Sequence, residues 1–264
     1  MSGSATAIGG YKYEHKLVEQ FVDWEFCSDA RDMLGRMGNS LALVESVAAR
    51  KVKGSVKPDI EVGVKFSSGD EKQIPISVKK CKLDFDYNHI CRTSVENYSN
   101  IFGIDNTLGR CLAVFTGEMK PSENMDLLKS EVSPSGKRKT FNDFKPEYAS
   151  LVVEWLEANK KQVVNYAFCG SGQKPEFLII GVESEEGINP HIYKMDDVVS
   201  HFYKKPVSIS SRGSIRLGNG EMVFQREGGT GQPTNLQIKF KPSEVLKNVQ
   251  KPTCESLAKI TGRT

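Results

Sequence analysis

Hydrophobic residues recur at helical spacing in several parts of the chain. Within residues 11–26, Leu17, Phe21 and Trp24 occupy positions i, i+4 and i+7, which predicts a helix with one inward-facing side. Residues that commonly start or end helices predict four more. These are a short helix capped by Ser28 and ended by Gly38, one from Thr93 with a capping box to Glu96, one from Pro146, and one over residues 197–204.

Runs with the character of β-strands lie between the predicted helices. They cover residues 59–66, 74–79, 176–182, 207–217, 222–226 and 236–240. The last three crowd into the final third of the chain, where Gly-rich turns join them. The pattern predicts an α/β (α+β) fold, in which helices flank a central mixed sheet and a β-rich region follows towards the C-terminus.

The length of 264 residues fits a single domain, 1–264, with two sub-regions around one core. The predicted sub-regions are residues 1–128 and 146–264, and residues 129–145 form a predicted mobile, basic loop between them. No apolar stretch approaches the roughly 20 residues of a membrane helix, and the N-terminus lacks the layout of a signal peptide. We therefore expect a cytoplasmic protein that does not enter a membrane.

Cysteine spacing and charge distribution narrow the picture further. Six cysteines are scattered without a CxxC pair, and the nearest approach to a zinc motif is His89 with Cys91, so we expect free thiols. From His201 onward, 11 Lys and Arg stand against 4 Asp and Glu, a net charge of +7; the remaining residues carry 25 against 29, a net of −4. This asymmetry is expected when one face meets a polyanion, and a solvated charged surface is the alternative.

The runs over residues 59–66 and 74–79 predict an antiparallel hairpin around Ser67-Ser-Gly-Asp. In both runs, apolar residues alternate with polar ones, which places Asp59, Glu61, Ser77 and Lys79 on one face. With the turn centred near Gly69, Asp59 lies across from Lys79, and Glu61 lies across from Ser77.

This grouping suits hydrolysis of a phosphodiester bond. Carboxylate oxygens are hard ligands for Mg²⁺, and a bound metal ion stabilises charge on the phosphate and helps to generate hydroxide. A nearby lysine orients or deprotonates the attacking water. A half-exposed hairpin with ordinary surface charges is the alternative.

Pro58-Asp59 followed by Ser77-Val78-Lys79 resembles the PD-(D/E)XK nuclease motif, with a serine where an acid is usual. The wider sequence resembles the HinP branch of type II restriction endonucleases, small enzymes that cut GC-containing four-base sites. The resembling blocks are Gly10-Tyr-Lys-Tyr-Glu14, Phe21-Val-Asp-Trp24, Phe115-Thr-Gly-Glu-Met-Lys-Pro121, Glu154-Trp-Leu-Glu-Ala-Asn159, Ser211-Arg-Gly-Ser-Ile215, Gln225-Arg-Glu-Gly-Gly229 and Leu236-Gln-Ile-Lys-Phe240.

The resemblance implies a restriction-endonuclease-like core that binds Mg²⁺ through Asp59 and the backbone carbonyl of Val78, with Lys79 as the catalytic lysine. Ser77 departs from the motif, and a hydroxyl is a weaker metal ligand than a carboxylate. Glu61, on the same face as Asp59, and Glu14, on the first helix, are both candidates to complete the metal site. The choice between them stays open.

The resemblance also places DNA recognition in the basic C-terminal strands. Arginine suits bidentate contacts to guanine, glutamine bonds base edges, and serine and lysine also reach phosphates. The candidate DNA-binding residues are Arg212, Ser214, Arg216, Gln225, Arg226, Gln237 and Lys239, with Arg212 and Gln225 preferred for base contacts. His89 and Arg92 are the candidates in a second DNA-facing segment.

The sequence therefore predicts a type II restriction endonuclease that cuts double-stranded DNA at a GCGC or GCNGC type of site and leaves 5′-phosphates. Residues 1–128 are expected to be mainly catalytic and residues 146–264 mainly concerned with recognition. One alternative is a less specific DNA-repair nuclease with the same core. Another is a DNA-binding protein, or one subunit of a two-subunit nuclease, if Ser77 marks a weakened metal site. A homodimer and a second nuclease subunit are both open as assemblies.

Overall fold

The structure is a computed structural model that describes most of the chain. The described residues are 3–53, 57–82, 87–136, 138–228 and 233–253, with side chains from residue 9 onward. No helix among them is long and apolar enough to cross a membrane.

Helices and strands follow one another along the described residues. The α-helices are α1 Gly3–Val22, α2 Ser28–Arg36, α3 Val95–Phe102, α4 Asn106–Thr116, α5 Pro146–Cys169, α6 Met195–Tyr203 and α7 Pro242–Asn248. The β-strands are β1 Val44–Lys51, β2 Ile60–Phe66, β3 Glu71–Lys82, β4 Asn88–Thr93, β5 Phe177–Ser184, β6 Gly187–Lys194, β7 Val207–Ile209, β8 Ile215–Leu217, β9 Met222–Arg226 and β10 Leu236–Phe240. Short 3-10 helices cover Leu41–Leu43, Pro121–Glu123, Met125–Leu127 and Phe141–Asp143.

The chain divides into two units, each made of separate chain segments. The first unit comprises Met1–Asn88, Cys169–Val198 and Pro242–Thr264, and the second comprises His89–Phe168 and Val199–Lys241. This division differs from the contiguous sub-regions expected from the sequence, because β3 pairs with β5 and so draws distant segments into one sheet.

The first unit is built on a five-stranded mixed sheet in the order β1-β2-β3-β5-β6. The central pair, β3 and β5, is parallel, and the other neighbouring strands are antiparallel. The expected α/β (α+β) class with a central mixed sheet is therefore confirmed. The edge strands β1 and β6 were not predicted, because neither segment shows a sustained alternation of apolar and polar residues.

One face of this sheet carries the core of the first unit, against which α1 and α2 pack. Leu17 and Phe21 of α1 are fully buried, as the helical spacing predicts, and Trp24 packs partly buried against the same core. Ile60 of β2 and Ile76 of β3 are also fully buried. Burying such side chains contributes about 1.5–3 kcal/mol each, and successive strand residues point to opposite faces, so the polar residues between them emerge on the other side.

The second unit contains a five-stranded sheet in the order β4-β10-β9-β8-β7, in which the four strands from β10 to β7 are antiparallel to their neighbours. On one face, Ile215 of β8 is opposite Phe224 of β9, which in turn is opposite Ile238 of β10, and all three are buried. The β-rich C-terminal region expected from the sequence is thus a sheet with one apolar face.

Some helix ends differ from the prediction. The residue that caps α2 is Cys27, and no side-chain hydrogen bond closes that end, so Ser28 is the first helical residue instead of the cap. Helix α3 is capped by Ser94, whose hydroxyl accepts a hydrogen bond from the Asn97 amide at 3.1 Å. The cap lies one residue later than predicted, because Ser94 is the residue with the extended backbone that a cap requires.

The predicted strand over residues 207–217 is two strands, β7 and β8, joined by a turn. The Ser210 amide donates to the Ser214 carbonyl at 2.8 Å, and Gly213 adopts a φ of 71°. A glycine is required in this left-handed conformation, and a Cβ at this position would meet the Thr140 side chain at 2.6 Å.

The described part of the predicted mobile loop over residues 129–145 is packed. Phe141 stacks on Phe115 with ring centroids 4.7 Å apart, and Phe144 stacks on Phe141 at 5.0 Å. Both loop phenylalanines are buried, and the Asn142 amide side chain donates to the Ser211 carbonyl at 2.8 Å. The basic composition of the segment predicted a mobile loop and gave no sign that these phenylalanines are buried.

Replacing Gly181 of β5 by alanine is expected to lower the free energy of unfolding by about 2 kcal/mol. A Cβ at this position would lie 2.3 Å from the ring of Tyr13, a buried residue of α1. Gly63→Ala in β2 is the matched control, because its new Cβ would meet only the movable end of Gln73. Urea unfolding of the two variants measures the difference, and equal midpoints would contradict the close approach of α1 to β5.

Candidate functional site

The hairpin of β2 and β3 is present, with a register two residues away from the predicted one. Ile60 is opposite Ile76, Glu61 is opposite Pro75, and the Asp59 amide donates to the Ile76 carbonyl at 3.0 Å. The expected pairings of Asp59 with Lys79 and of Glu61 with Ser77 are therefore wrong. A shift of two residues preserves the side-chain face, so Asp59, Ser77 and Lys79 still share the polar side of the hairpin.

Three donors from β3 converge on one oxygen of the Asp59 carboxylate. Oδ2 accepts from the Ser77 hydroxyl at 2.8 Å, from the Val78 amide at 2.6 Å and from the Lys79 ammonium at 3.2 Å. The other oxygen, Oδ1, accepts no hydrogen bond from the residues that the structure describes. The carboxylate is thus held in one orientation with one oxygen left available.

These contacts set the charge of Asp59. Burial raises the pKa of this carboxyl, but the positive charge of Lys79 and the hydrogen bonds from Val78, Ser77 and Lys79 outweigh that effect, and the pKa lies below its usual range. Asp59 is therefore ionised throughout the neutral range.

The Lys79 ammonium contacts both of the oxygens that the sequence assigned to a metal ion. It lies 3.2 Å from Asp59 Oδ2 and 2.8 Å from the carbonyl oxygen of Val78. The side chains of Lys79 and Asp59 are 15% and 24% exposed, so both keep some contact with solvent.

Glu61 lies on the same face but contacts a cation that the sequence analysis missed. Its Oε2 accepts from Nε and Nη2 of Arg50, on the neighbouring strand β1, at 2.9 and 2.5 Å. Glu14 on α1 is paired in the same way, with Lys51 Nζ at 2.6 Å, and that ammonium also lies 3.3 Å from the centre of the Tyr11 ring. Both candidate acids therefore already form ion pairs with basic residues of β1.

The donor set around Asp59 fits a hard divalent cation such as Mg²⁺. A carboxylate oxygen, a backbone carbonyl and the adjacent serine hydroxyl are oxygen donors, and Mg²⁺ often retains several waters beside one or two protein ligands. No group of three or more His, Cys, Asp or Glu residues that could hold a metal ion occurs among the described residues. Asp59 and the Val78 carbonyl could hold such an ion.

The second unit brings four of the predicted DNA-binding residues onto one polar face of its sheet. Arg216 and Lys239 are both opposite Val223, and Gln225 is opposite Gln237. Directly opposed residues share a face, so these side chains form a row on the side away from Phe224 and Ile238. Arg216 is fixed by a hydrogen bond from its Nε to the Ser208 hydroxyl at 3.0 Å.

The remaining predicted DNA-binding residues lie around this sheet. Arg212 is exposed in the turn between β7 and β8, and Ser214 follows it with its amide bonded to the Ser210 hydroxyl at 3.0 Å. Arg226 is opposite Leu236 and so belongs to the other side-chain row from Gln225.

His89 and Arg92 on β4 border the same sheet. Burial is the largest effect on the His89 imidazole, and with the positive charges of Lys239 and Arg92 it lowers the pKa, against an opposing hydrogen bond with Gln237. Arg92 Nη1 donates to Glu227 Oε1 at 2.5 Å, while about half of the Arg92 side chain remains exposed. The imidazole is therefore neutral at pH 7, and Arg92 is a surface cation held by a buried carboxylate.

Together, the mixed sheet and the Asp59–Ser77–Lys79 cluster have the features that the sequence leads us to expect of a PD-(D/E)XK nuclease. The restriction endonuclease MspI, solved in complex with its cognate DNA, has a similar fold, with a TM-score of 0.59 and 16% identity over 90% of this chain and 91% of that chain. No curated protein sequence matches the chain. The protein-family model of the R.HinP1I restriction endonucleases matches residues 37–246 of this chain. The chain belongs to the R.HinP1I restriction endonuclease family and is a site-specific deoxyribonuclease.

Ser77→Ala is expected to lower the rate of DNA cleavage about tenfold without changing the affinity for DNA. The variant removes one of the three donors that orient the Asp59 carboxylate, and a hydrogen bond to a charged group contributes about 1.5–3 kcal/mol. Single-turnover cleavage and equilibrium binding measure the two quantities separately.

Thr116→Val is the control for this test, since it removes a different buried hydroxyl, which donates to the Ala113 carbonyl at 3.2 Å in α4. It is expected to affect stability without affecting the cleavage rate. An unchanged rate in Ser77→Ala would show that the serine does not position Asp59.

Proposed function

We propose that this protein hydrolyses double-stranded DNA at a short GC-containing sequence, of the GCGC or GCNGC type, in a Mg²⁺-dependent reaction that leaves 5′-phosphates. The observation that carries the proposal is the ionised Asp59 carboxylate, fixed by Ser77, Val78 and Lys79, in a chain of this nuclease family. Its pairing with Lys79 suits a site that must organise a cation, a water molecule and a phosphate.

Asp59 Oδ1 and the Val78 carbonyl would hold the metal ion. When bound, Mg²⁺ would stabilise the negative charge that develops on the phosphate and favour formation of hydroxide from water. Ser77 would contribute chiefly by orienting Asp59, because its hydroxyl already donates to Oδ2. Glu61 and Glu14 remain candidates to complete the site, and their ion pairs with Arg50 and Lys51 would have to open first.

Lys79 would orient the attacking water and offset negative charge on the phosphate. Its ammonium is anchored between Asp59 and the Val78 carbonyl, which restricts its position to the immediate vicinity of the reacting group. An ammonium fixed in this way costs little reorganisation when the charge of the phosphate increases.

The polar face of the second unit's sheet would recognise the DNA sequence. Gln225 and Arg216 are half-buried and carry amide and guanidinium donors of the kinds that bond base edges, Gln237 lies buried in the same row, and Arg212 is exposed in the adjoining turn. Ser214, Arg226, Lys239, His89 and Arg92 would supply further contacts to bases or phosphates. Double-stranded DNA is the proposed partner, with no role for a membrane.

Digestion of a sequenced plasmid tests the nuclease function. The purified protein is expected to give discrete fragments with Mg²⁺ and none with EDTA, and the mapped ends would carry 5′-phosphates. Asp59→Asn is expected to lower the rate about a thousandfold or more, because metal-ion stabilisation of the transition state contributes several kcal/mol.

The matched variants Lys79→Met and Lys80→Met each remove one positive charge from β3. Comparing them separates the role of Lys79 at the site from the effect of losing a positive charge. The two lysines are adjacent in β3, but Lys80 pairs with Glu183 at 3.0 Å on the opposite face. Only Lys79→Met is expected to abolish cleavage.

The digestion of the plasmid by the wild-type protein also separates the alternative functions. Smeared products would favour the less specific repair nuclease. Nicking of one strand alone would favour a paired subunit, and DNA binding without any Mg²⁺-dependent cleavage would contradict the self-sufficient enzyme.

Arg212→Ala and Gln225→Ala are expected to relax discrimination at single base positions by about 1–3 kcal/mol. Lys239→Ala is expected to weaken binding to cognate and unrelated duplexes by the same factor, since a phosphate contact carries no base information. Competition binding with duplexes that differ by one base pair measures both effects. If all three variants lose the same factor in affinity for every duplex, Arg212 and Gln225 do not contact bases specifically.

A further inference from the structure

Arg50 brings an exposed positive charge to the strand face that carries the Asp59 cluster. The Val52 amide donates to the Asp59 carbonyl at 3.1 Å, so the pairing of β1 with β2 extends as far as Asp59. Side chains alternate between the two faces along these strands, and Arg50 is directly opposite Glu61. Asp59, Glu61 and Arg50 therefore share one face, and Glu61 lies about 7 Å along the strand from Asp59.

The two partners of the ion pair between Arg50 and Glu61 differ in their contact with water. The Glu61 side chain is 11% exposed, whereas the Arg50 side chain is 78% exposed. One oxygen of Glu61, Oε2, accepts from both Nε and Nη2 of Arg50, at 2.9 and 2.5 Å, while Nη1 donates to none of the residues that the structure describes. A buried carboxylate thus holds one edge of a guanidinium whose other donors stay open to solvent.

The next residue of β1, Lys51, forms an ion pair of a different kind. Lys51 is opposite Ile60, so it lies on the side of the sheet against which α1 packs, and its ammonium stands over the Tyr11 ring. Its partner Glu14 belongs to α1, and both side chains of this pair are mostly buried. The charge of Lys51 is therefore used within the first unit, whereas Arg50 is the cation that β1 presents to solvent on the face of Asp59.

A guanidinium can hold a carboxylate and bind a phosphate at the same time. It has five N–H donors in a rigid fork, and the hydrogen bonds to Glu61 use one donor each of Nε and Nη2. Charge-assisted hydrogen bonds from arginine to phosphate oxygens are about twice as strong as neutral ones. The ion pair with Glu61 therefore does not have to open for Arg50 to bind a phosphate.

We propose that Arg50 binds a DNA backbone phosphate next to the one that is hydrolysed at Asp59, and that Glu61 positions the Arg50 guanidinium. The step of about 7 Å along β2 between Asp59 and Glu61 is similar to the separation of neighbouring phosphates in a DNA strand. The proposal rests on the proposed function and gives Glu61 a role that keeps its ion pair closed. Arg50 lies outside the nuclease motif, on a strand that the alternation of residues does not predict.

Equilibrium binding to a duplex without a cognate site, in EDTA, tests the contact of Arg50 apart from cleavage. One lost phosphate contact lowers the slope of log affinity against log salt by about 0.9. Between about 50 and 200 mM salt, the affinity of Arg50→Gln is therefore expected to fall about 3.5-fold less than that of the wild-type protein. Arg50→Lys is expected to restore the slope, because it keeps the charge, but only part of the affinity, because it lacks the fork.

Lys65→Gln is the matched control. Lys65 lies on the same face of β2 and also pairs with an acid of β1, Glu45, at 2.8 Å. It is six residues beyond Asp59, roughly 20 Å along the strand, and its loss is expected to leave the slope unchanged. An equal loss of slope in both variants would mean that any positive charge on this face suffices, which would overturn the specific role of Arg50.

Replacing single phosphates by neutral methylphosphonates, in a duplex that carries the mapped cleavage site, locates the contact. One position next to the cleaved bond is expected to weaken binding by the wild-type protein and to leave Arg50→Gln unaffected. If Arg50→Gln only lowers the melting temperature, with the salt slope and the scan unchanged, the ion pair with Glu61 is purely structural and the proposal fails.

Glu61→Gln tests the positioning role. The variant is expected to reduce the effect of the methylphosphonate at that position without raising the Mg²⁺ concentration needed for half-maximal cleavage. A higher Mg²⁺ requirement with an unchanged scan would make Glu61 a metal ligand and overturn its role in positioning Arg50.

Failure of the nuclease function gives a different result from failure of the phosphate contact. The salt slopes are measured in EDTA and need no cleavage. A protein that cleaves no DNA but shows the expected loss of slope in Arg50→Gln would disprove the nuclease and support the contact. Normal cleavage with equal slopes in Arg50→Gln and the wild-type protein would overturn the contact alone.

Discussion

A single carboxylate oxygen organises the proposed cutting site, and the pairing of β2 with β3 supplies its donors. Asp59 Oδ2 accepts hydrogen bonds from the hydroxyl, the amide and the ammonium of three consecutive residues, Ser77, Val78 and Lys79. A carboxylate withdrawn from water remains ionised only where donors replace its hydration. A slip of β3 by one residue would turn Ser77 and Lys79 towards the apolar face and remove two of the three donors. The strand register is therefore a condition of the chemistry.

The opposite face of the sheet enforces that register. Ile60, Ile76 and their neighbours are buried beneath α1 and α2, and moving them to the polar side would expose the core of the first unit. The edge strand β1 then adds Arg50 and Lys51, which pair with Glu61 and Glu14. Since these two acids are held in ion pairs, Asp59 keeps a free oxygen, which is the proposed ligand of the metal ion.

The alternation of residues in β2 and β3 was enough to predict which side chains share the polar face, but it did not determine their partners. Alternation has a period of two, so a register error of two residues leaves every face unchanged. The turn decides the register, and here the Phe66 amide bonds to the Asp70 carbonyl, which centres the hairpin before Gly69. Arg50 could not be assigned to Glu61 because β1 shows little alternation, and no local pattern links Arg92 to Glu227, 135 residues away.

Net charge was an incomplete guide to the proposed DNA-binding surface for the same reason. Within the basic C-terminal part, Lys205 pairs with Glu221 at 3.0 Å, so its charge is already balanced inside the second unit. Arg216 and Lys239 instead lie in one row of the sheet. A cation is available to a polyanion when its local acceptors are missing or already used. That condition depends on long-range pairing, which a count of charges along the sequence does not show.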